Sequence, residues 1–126
     1  MNILYVALGG SIGAVCRYSL SLWVHRLFGI NFPYGTLVVN VLGAFLVGLL
    51  ALILMERMSL SMEMRGVLII GFLGAFTTFS TFSYETLVLF QQASYLLALL
   101  NILLNVLLCL LFVWFGVVVG RLLINI

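Results

Sequence analysis

Four long apolar runs, at about 3–28, 34–55, 66–90 and 95–123, leave this chain one kind of fold. Each is long enough to cross a bilayer core, which takes about 20 mostly apolar residues as a helix. Inside lipid the backbone finds no water, so each run must close its own hydrogen bonds helically. The breaks between the runs are short. Gly29 to Pro33 joins a helix-stopping glycine to the only proline. Glu56 to Arg65 holds four of the eight charged side chains and reads as an aqueous loop. Gln91 to Ser94 is a polar hinge, with Ser94 placed to cap the fourth helix. No loop is long enough to fold separately. Residues 1–126 therefore read as one all-α, four-helix transmembrane domain.

Composition agrees. The chain is 66% hydrophobic and 6% charged, where soluble domains carry about a quarter charged residues. Its cations are all Arg and its anions all Glu; the net charge of +2 is small and scattered, which argues against a nucleic-acid partner. Cys16 and Cys109 lie in apolar stretches and read as two free thiols. With a single histidine, His25, they make no metal site, and no His–carboxylate or nucleophile–base pairing suggests an enzyme. The N-terminus lacks a basic region and a cleavage motif, so the first span reads as retained. Both termini and the 56–65 loop fall on one side, with Arg57, Arg65, Arg121 and the α-amino group; the other side carries Arg26. The positive-inside rule thus leans towards cytoplasmic termini, by so few charges that insertion in both orientations stays open.

One stretch departs from the apolar pattern. Gly71 to Glu85, GFLGAFTTFSTFSYE, puts two glycines, a run of Ser and Thr hydroxyls and a carboxylate inside a span. Two readings stand. The hydroxyls can bond back to their own helix and pack against a neighbour. Alternatively the helix breaks, and freed carbonyls and hydroxyls line an ion path. Gly71, Gly74 and the β-branched pair Thr77-Thr78 weaken the helix where the polar groups begin.

Further residues carry the same ambiguity. Gly9 and Gly13, and again Gly116 and Gly120, are spaced for close helix packing. Arg17 lies inside the first span and must face water, an interface or a partner such as Glu85, or else attract an anion. Asn40 and Gly43 share a helix face; the amide can pair helices or offer its NH2 to an anion. Phe79 and Phe82 are three apart on one face, as core packing or as ring edges turned to an anion. Glu85 is a carboxylate at membrane depth. Asn101, Asn105 and Cys109 form a stripe on the fourth helix, suited to helix pairing or to a pore wall.

GGSIGAVCRY, GTLVVNVLGAF and GFLGAFTTFSTFS, in this order over four spans, resemble the Fluc (CrcB) family of small fluoride channels. The likeness covers nearly the whole chain, and its third motif is the specific one. It implies an antiparallel, dual-topology homodimer in the inner (plasma) membrane, with the third helix broken and two fluoride pores lined by both subunits. It implies passive export of fluoride from the cytoplasm, lowering its toxicity. By the matching motifs, Phe79 and Phe82 are the pore phenylalanines, Asn40 the pore asparagine, and Thr36 and Ser80 nearby hydroxyl donors. Gly74 and Thr77 are expected to offer backbone carbonyls to a structural Na+ at the dimer interface. Arg17 matches a vestibule arginine and Glu85 the acidic residue after the second Phe. The fourth-helix match is looser: Asn101, Asn105 and Cys109 stand where relatives tend to carry other polar or small residues, and Asn105 is set beside the pore.

The residues alone favour the same kind of protein. Four helices are too few to enclose a hydrated pore, so an oligomer is expected. Fluoride is small and strongly hydrated, and a selective path must replace its water with donors that do not hold it too tightly. The rival is a small dual-topology multidrug-type transporter, with Glu85 taken as its membrane carboxylate. The aromatic pair and hydroxyl run speak against a cationic substrate. A non-transporting bundle, whose glycines only pack helices, is the second rival.

Overall fold

The computed structural model describes residues 3–56 and 61–124. Helix α1 runs Ile3–Phe28 and α2 Tyr34–Glu56. The third span is built from pieces: α3 (Met62–Arg65), a π-helical segment (Gly66–Leu73), α4 (Gly74–Phe76) and α5 (Phe79–Gln91). Helix α6, Tyr95–Ile124, closes the chain. By length and apolarity four spans can cross a membrane, and they coincide with the four runs expected from sequence. The chain is a multi-pass membrane protein. Its outer surface is apolar, from Ile3 to Trp114, as a surface solvated by lipid must be.

The joints follow local chemistry. Gly29 takes φ +84° and its N–H caps α1 on the His25 carbonyl at 2.9 Å, a left-handed stop that glycine makes without strain. Pro33 directly precedes α2, and its carbonyl accepts the Leu37 N–H. Ser94 precedes α6 and takes the Ala98 N–H on its backbone carbonyl. The expected aqueous loop is shorter than sequence implied. The third span starts at Met62, because Ser61 caps it by accepting the Met64 N–H. Residues 57–60 of that loop, with Arg57, and the N-terminus lie outside the described residues.

Glycines set the packing. A Cβ on Gly9 would strike the Val67 carbonyl, and one on Gly13 the Phe72 carbonyl, so α1 lies backbone-close on the π-helical segment. Helix α2 packs along α6 in the same way, with Gly116 against the Phe45 carbonyl and Gly120 against Leu52. Both pairs do what their spacing promised.

Candidate functional site

The third span breaks at Thr77 and Thr78. Both are extended, at φ/ψ of −81°/155° and −149°/113°, between two helical pieces. A break at membrane depth frees backbone groups that lipid cannot satisfy, and the structure satisfies some of them from within. The Thr78 N–H, which a continuous helix would give to the Gly74 carbonyl, donates to Asn40 Oδ1 at 2.8 Å. Asn40 Nδ2 returns a bond to the Thr78 carbonyl at 3.1 Å. One side-chain amide thus pairs with one peptide unit on both edges. The Thr81 N–H, owed to the Thr77 carbonyl, goes to Thr78 Oγ1, which caps α5. Gly74 and Thr77 therefore keep carbonyls without their helical donors.

Both readings of the hydroxyl run are realised together. Thr77, Ser83 and Thr86 donate to the carbonyls of Leu73, Phe79 and Phe82 on their own helices. Thr78 instead donates to Thr81 Oγ1 at 2.9 Å, with Ser80 Oγ 3.4 Å away. Thr78 spends its one hydroxyl hydrogen on Thr81, so Ser80 donates to Thr78 Oγ1; at 3.4 Å, on an exposed residue, that bond is long enough to be exchanged for another acceptor.

Two cavities flank the break. One, of about 330 Å³, is walled by Arg17, Ser21, His25, Thr36, Thr78 and Thr81. The other, of about 430 Å³, is walled by Asn40, Thr77, Thr78, Phe79, Phe82, Asn105 and Cys109. Thr78 lies on both. Phe79 is 77% exposed and Phe82 only 7%, and their rings meet edge to face at 5.3 Å. Both Nδ2 hydrogens of Asn40 are engaged, the second by Asn105 Oδ1 at 3.1 Å. An anion can reach them only by exchange with one of these bonds.

Arg17 and Glu85 are separated. Arg17 faces the first cavity, whereas Glu85 faces a third, of about 620 Å³, beside Asn31, Tyr84 and Gln92. Thr36 donates its hydroxyl hydrogen to Glu85 Oε1 at 2.8 Å, so that hydrogen too is engaged. His25 lies between these two cavities, and its Nε2 accepts the Gly35 N–H at 3.2 Å, tying the ends of α1 and α2. Cys16 and Cys109 are free thiols.

The structure adds Thr86 to the site and shows which of its two readings, helix pairing or pore wall, Asn101 takes within the subunit. Asn101 and Thr86 are buried and bonded to each other, and Asn101 also holds Asn105. The i, i+4 spacing of the two asparagines was the available signal; that they turn inward on their own subunit was not readable from it.

The family model described as CrcB-like protein, Camphor Resistance (CrcB), matches residues 4–117. A protein of Magnetococcus marinus is 54% identical over 122 residues, 97% of this chain and 99% of its own length. One of Geotalea uraniireducens is 47% identical over 95% of this chain and 97% of its own. One of Methylococcus capsulatus is 48% identical over 96% of this chain, which spans 53% of that relative. All three are named Fluoride-specific ion channel FluC.

Proposed function

The chain belongs to the CrcB-like family, and we propose that it is a fluoride-selective channel of the plasma membrane, through which fluoride leaves the cytoplasm passively. The observation that carries this reading is the 54% identity, over 97% of the chain, to a relative named as a fluoride-specific ion channel.

The site's chemistry supports it. Fluoride must exchange water for donors, and the two cavities that share Thr78 offer hydroxyls, ring edges and an amide, the second of them with no cation in its wall. Arg17 draws the anion into the first cavity. Thr36 and Ser80 place hydroxyls near the break, and each meets fluoride by exchanging its present bond, to Glu85 and to Thr78 respectively. Beyond Thr78, Phe79 and Phe82 present ring edges, with Asn40 and Asn105 alongside. The exposed face of Phe79 belongs against a second subunit, in an antiparallel homodimer whose pores are lined by both chains.

The carbonyls of Gly74 and Thr77 suit a Na+ at the two-fold axis. Their helical donors are diverted to Asn40 and Thr78, and Gly74 is exposed, with nothing nearer than 3.8 Å to the place of a Cβ. Oxygen-only donors match a hard cation. Bound there, Na+ supplies fixed positive charge between subunits and does not travel with fluoride.

The test is efflux from proteoliposomes loaded with fluoride or chloride. Fast fluoride and slow chloride efflux is expected; equal rates refute the reading.

A further inference from the structure

Asn101 on α6 and Thr86 on α5 have no role in the path above, yet Asn101 is 0% exposed and its amide is spent on other polar side chains. Followed from the break, the bonds form one directed series. Asn40 Nδ2 donates to Asn105 Oδ1, Asn105 Nδ2 to Asn101 Oδ1 at 2.9 Å, Asn101 Nδ2 to Thr86 Oγ1 at 2.9 Å, and Thr86 Oγ1 to the Phe82 carbonyl at 2.8 Å. Asn105 Nδ2 is held further by the Asn101 carbonyl at 3.0 Å. The series leaves α5 at Thr78, crosses α2 and α6, and returns to α5 at Phe82. It clamps the first turn of α5 from both ends, and that turn carries Phe79 and Phe82.

We infer that Asn101 and Thr86 are positioning residues, which through Asn105 and Asn40 hold the Thr78 break and so aim the phenylalanine pair. The inference rests on the conducting role proposed for that pair. Simple packing would be served as well by an apolar side chain of the same shape, and a lone threonine would be satisfied by its own helix. Here the Thr86 hydroxyl also accepts, and without it a wholly buried amide hydrogen loses its partner. Hydrogen bonds aligned in one direction polarise one another, so a defect at the Thr86 end is felt at Asn40.

Thr86→Val keeps the shape and removes the hydroxyl, while Thr86→Ser keeps the hydroxyl. We expect Thr86→Val to slow fluoride efflux about tenfold, with Thr86→Ser within about twofold of wild type. Asn101→Leu should cost as much, and the double variant no more than either single, because residues acting as a unit are not additive. The double variant leaves no orphaned donor between the two positions and serves if Thr86→Val alone does not fold. Amide exchange followed by 15N NMR gives a readout that needs no flux. At Thr78 it should quicken about tenfold in Thr86→Val. At Thr81, held locally by Thr78 Oγ1, it should not change. If wild type conducts no fluoride, the channel reading falls and the Thr78 exchange rate alone decides the clamp. Unchanged Thr78 exchange, or wild-type flux in a folded Thr86→Val dimer, overturns the inference.

Discussion

Asn40 separates a side chain that holds a backbone break from one that merely fills a helix interface. Asn40→Leu is close in volume and removes three bonds at once: those from Thr78 N–H at 2.8 Å, to the Thr78 carbonyl at 3.1 Å and to Asn105 Oδ1 at 3.1 Å. Each stranded buried group costs about 1–3 kcal/mol, so three of them cost about 3–9 kcal/mol. Asn40→Asp behaves differently. Its carboxylate keeps the Thr78 N–H as a charge-assisted bond. It has no hydrogen for Asn105, but the series beyond can reverse. Asn105 turns its amide to donate to residue 40, Asn101 turns to donate to Asn105, and Thr86 donates to Asn101 instead of to Phe82. The bonds to the Thr78, Asn101 and Phe82 carbonyls are lost, at a net cost of about 3 kcal/mol for three bonds. The Asp variant should therefore fold as a dimer and the Leu variant should be the less stable of the two, by size-exclusion and thermal unfolding in the same detergent. Neither should conduct fluoride, since Asp brings negative charge to the groove. Equal stability of the two variants, or a Leu variant as stable as wild type, would refute the account of the break.

Three other perturbations test separate parts. Phe79→Ile and Phe82→Ile keep apolar bulk and lose the positive ring edge, so folded dimers should conduct fluoride poorly in the liposome assay; wild-type rates would take the rings out of the path. Gly13→Ala drives a Cβ into the Phe72 carbonyl and should lower stability by roughly 1–3 kcal/mol, read as a drop in thermal midpoint, because backbone and not a flexible side chain must move. Replacing all Na+ by a large organic cation should loosen the dimer and leave the isolated subunit's helicity unchanged, by size-exclusion and circular dichroism; dimers indifferent to the exchange would count against carbonyl-bound Na+ at Gly74 and Thr77.

The four spans were legible because lipid leaves the backbone one solution, and apolar length alone marks it. The break was legible because Gly71, Gly74 and two adjacent β-branched threonines meet polar side chains at one place. The π-helical turn over Gly66–Leu73 was not. Its residues, GVLIIGFL, suit an α-helix equally well, and the wider winding becomes visible only where Gly9 and Gly13 press on it. The early start at Met62 was hidden by charge: Glu63 and Arg65 read as loop, although Ser61 ahead of them is an ordinary cap. Arg17 and Glu85 read as partners in the sequence because they are opposite charges at membrane depth; Thr36, a neutral donor on α2, meets Glu85 instead.

Placement of the asparagines bears on the second subunit proposed for a chain so well satisfied internally. Asn40, Asn101 and Asn105 spend their amides within the chain, and with them the N–H and carbonyl of Thr78 no longer need water. Yet the same break leaves the Gly74 and Thr77 carbonyls without their helical donors, beside a groove edged by a largely exposed phenylalanine. Lipid chains can cover the ring but cannot bond the oxygens. Only polar matter can, whether a second subunit, a bound cation or water with an anion passing through it. The internal bonds therefore make the break stable, and the oxygens they leave over give it something to do.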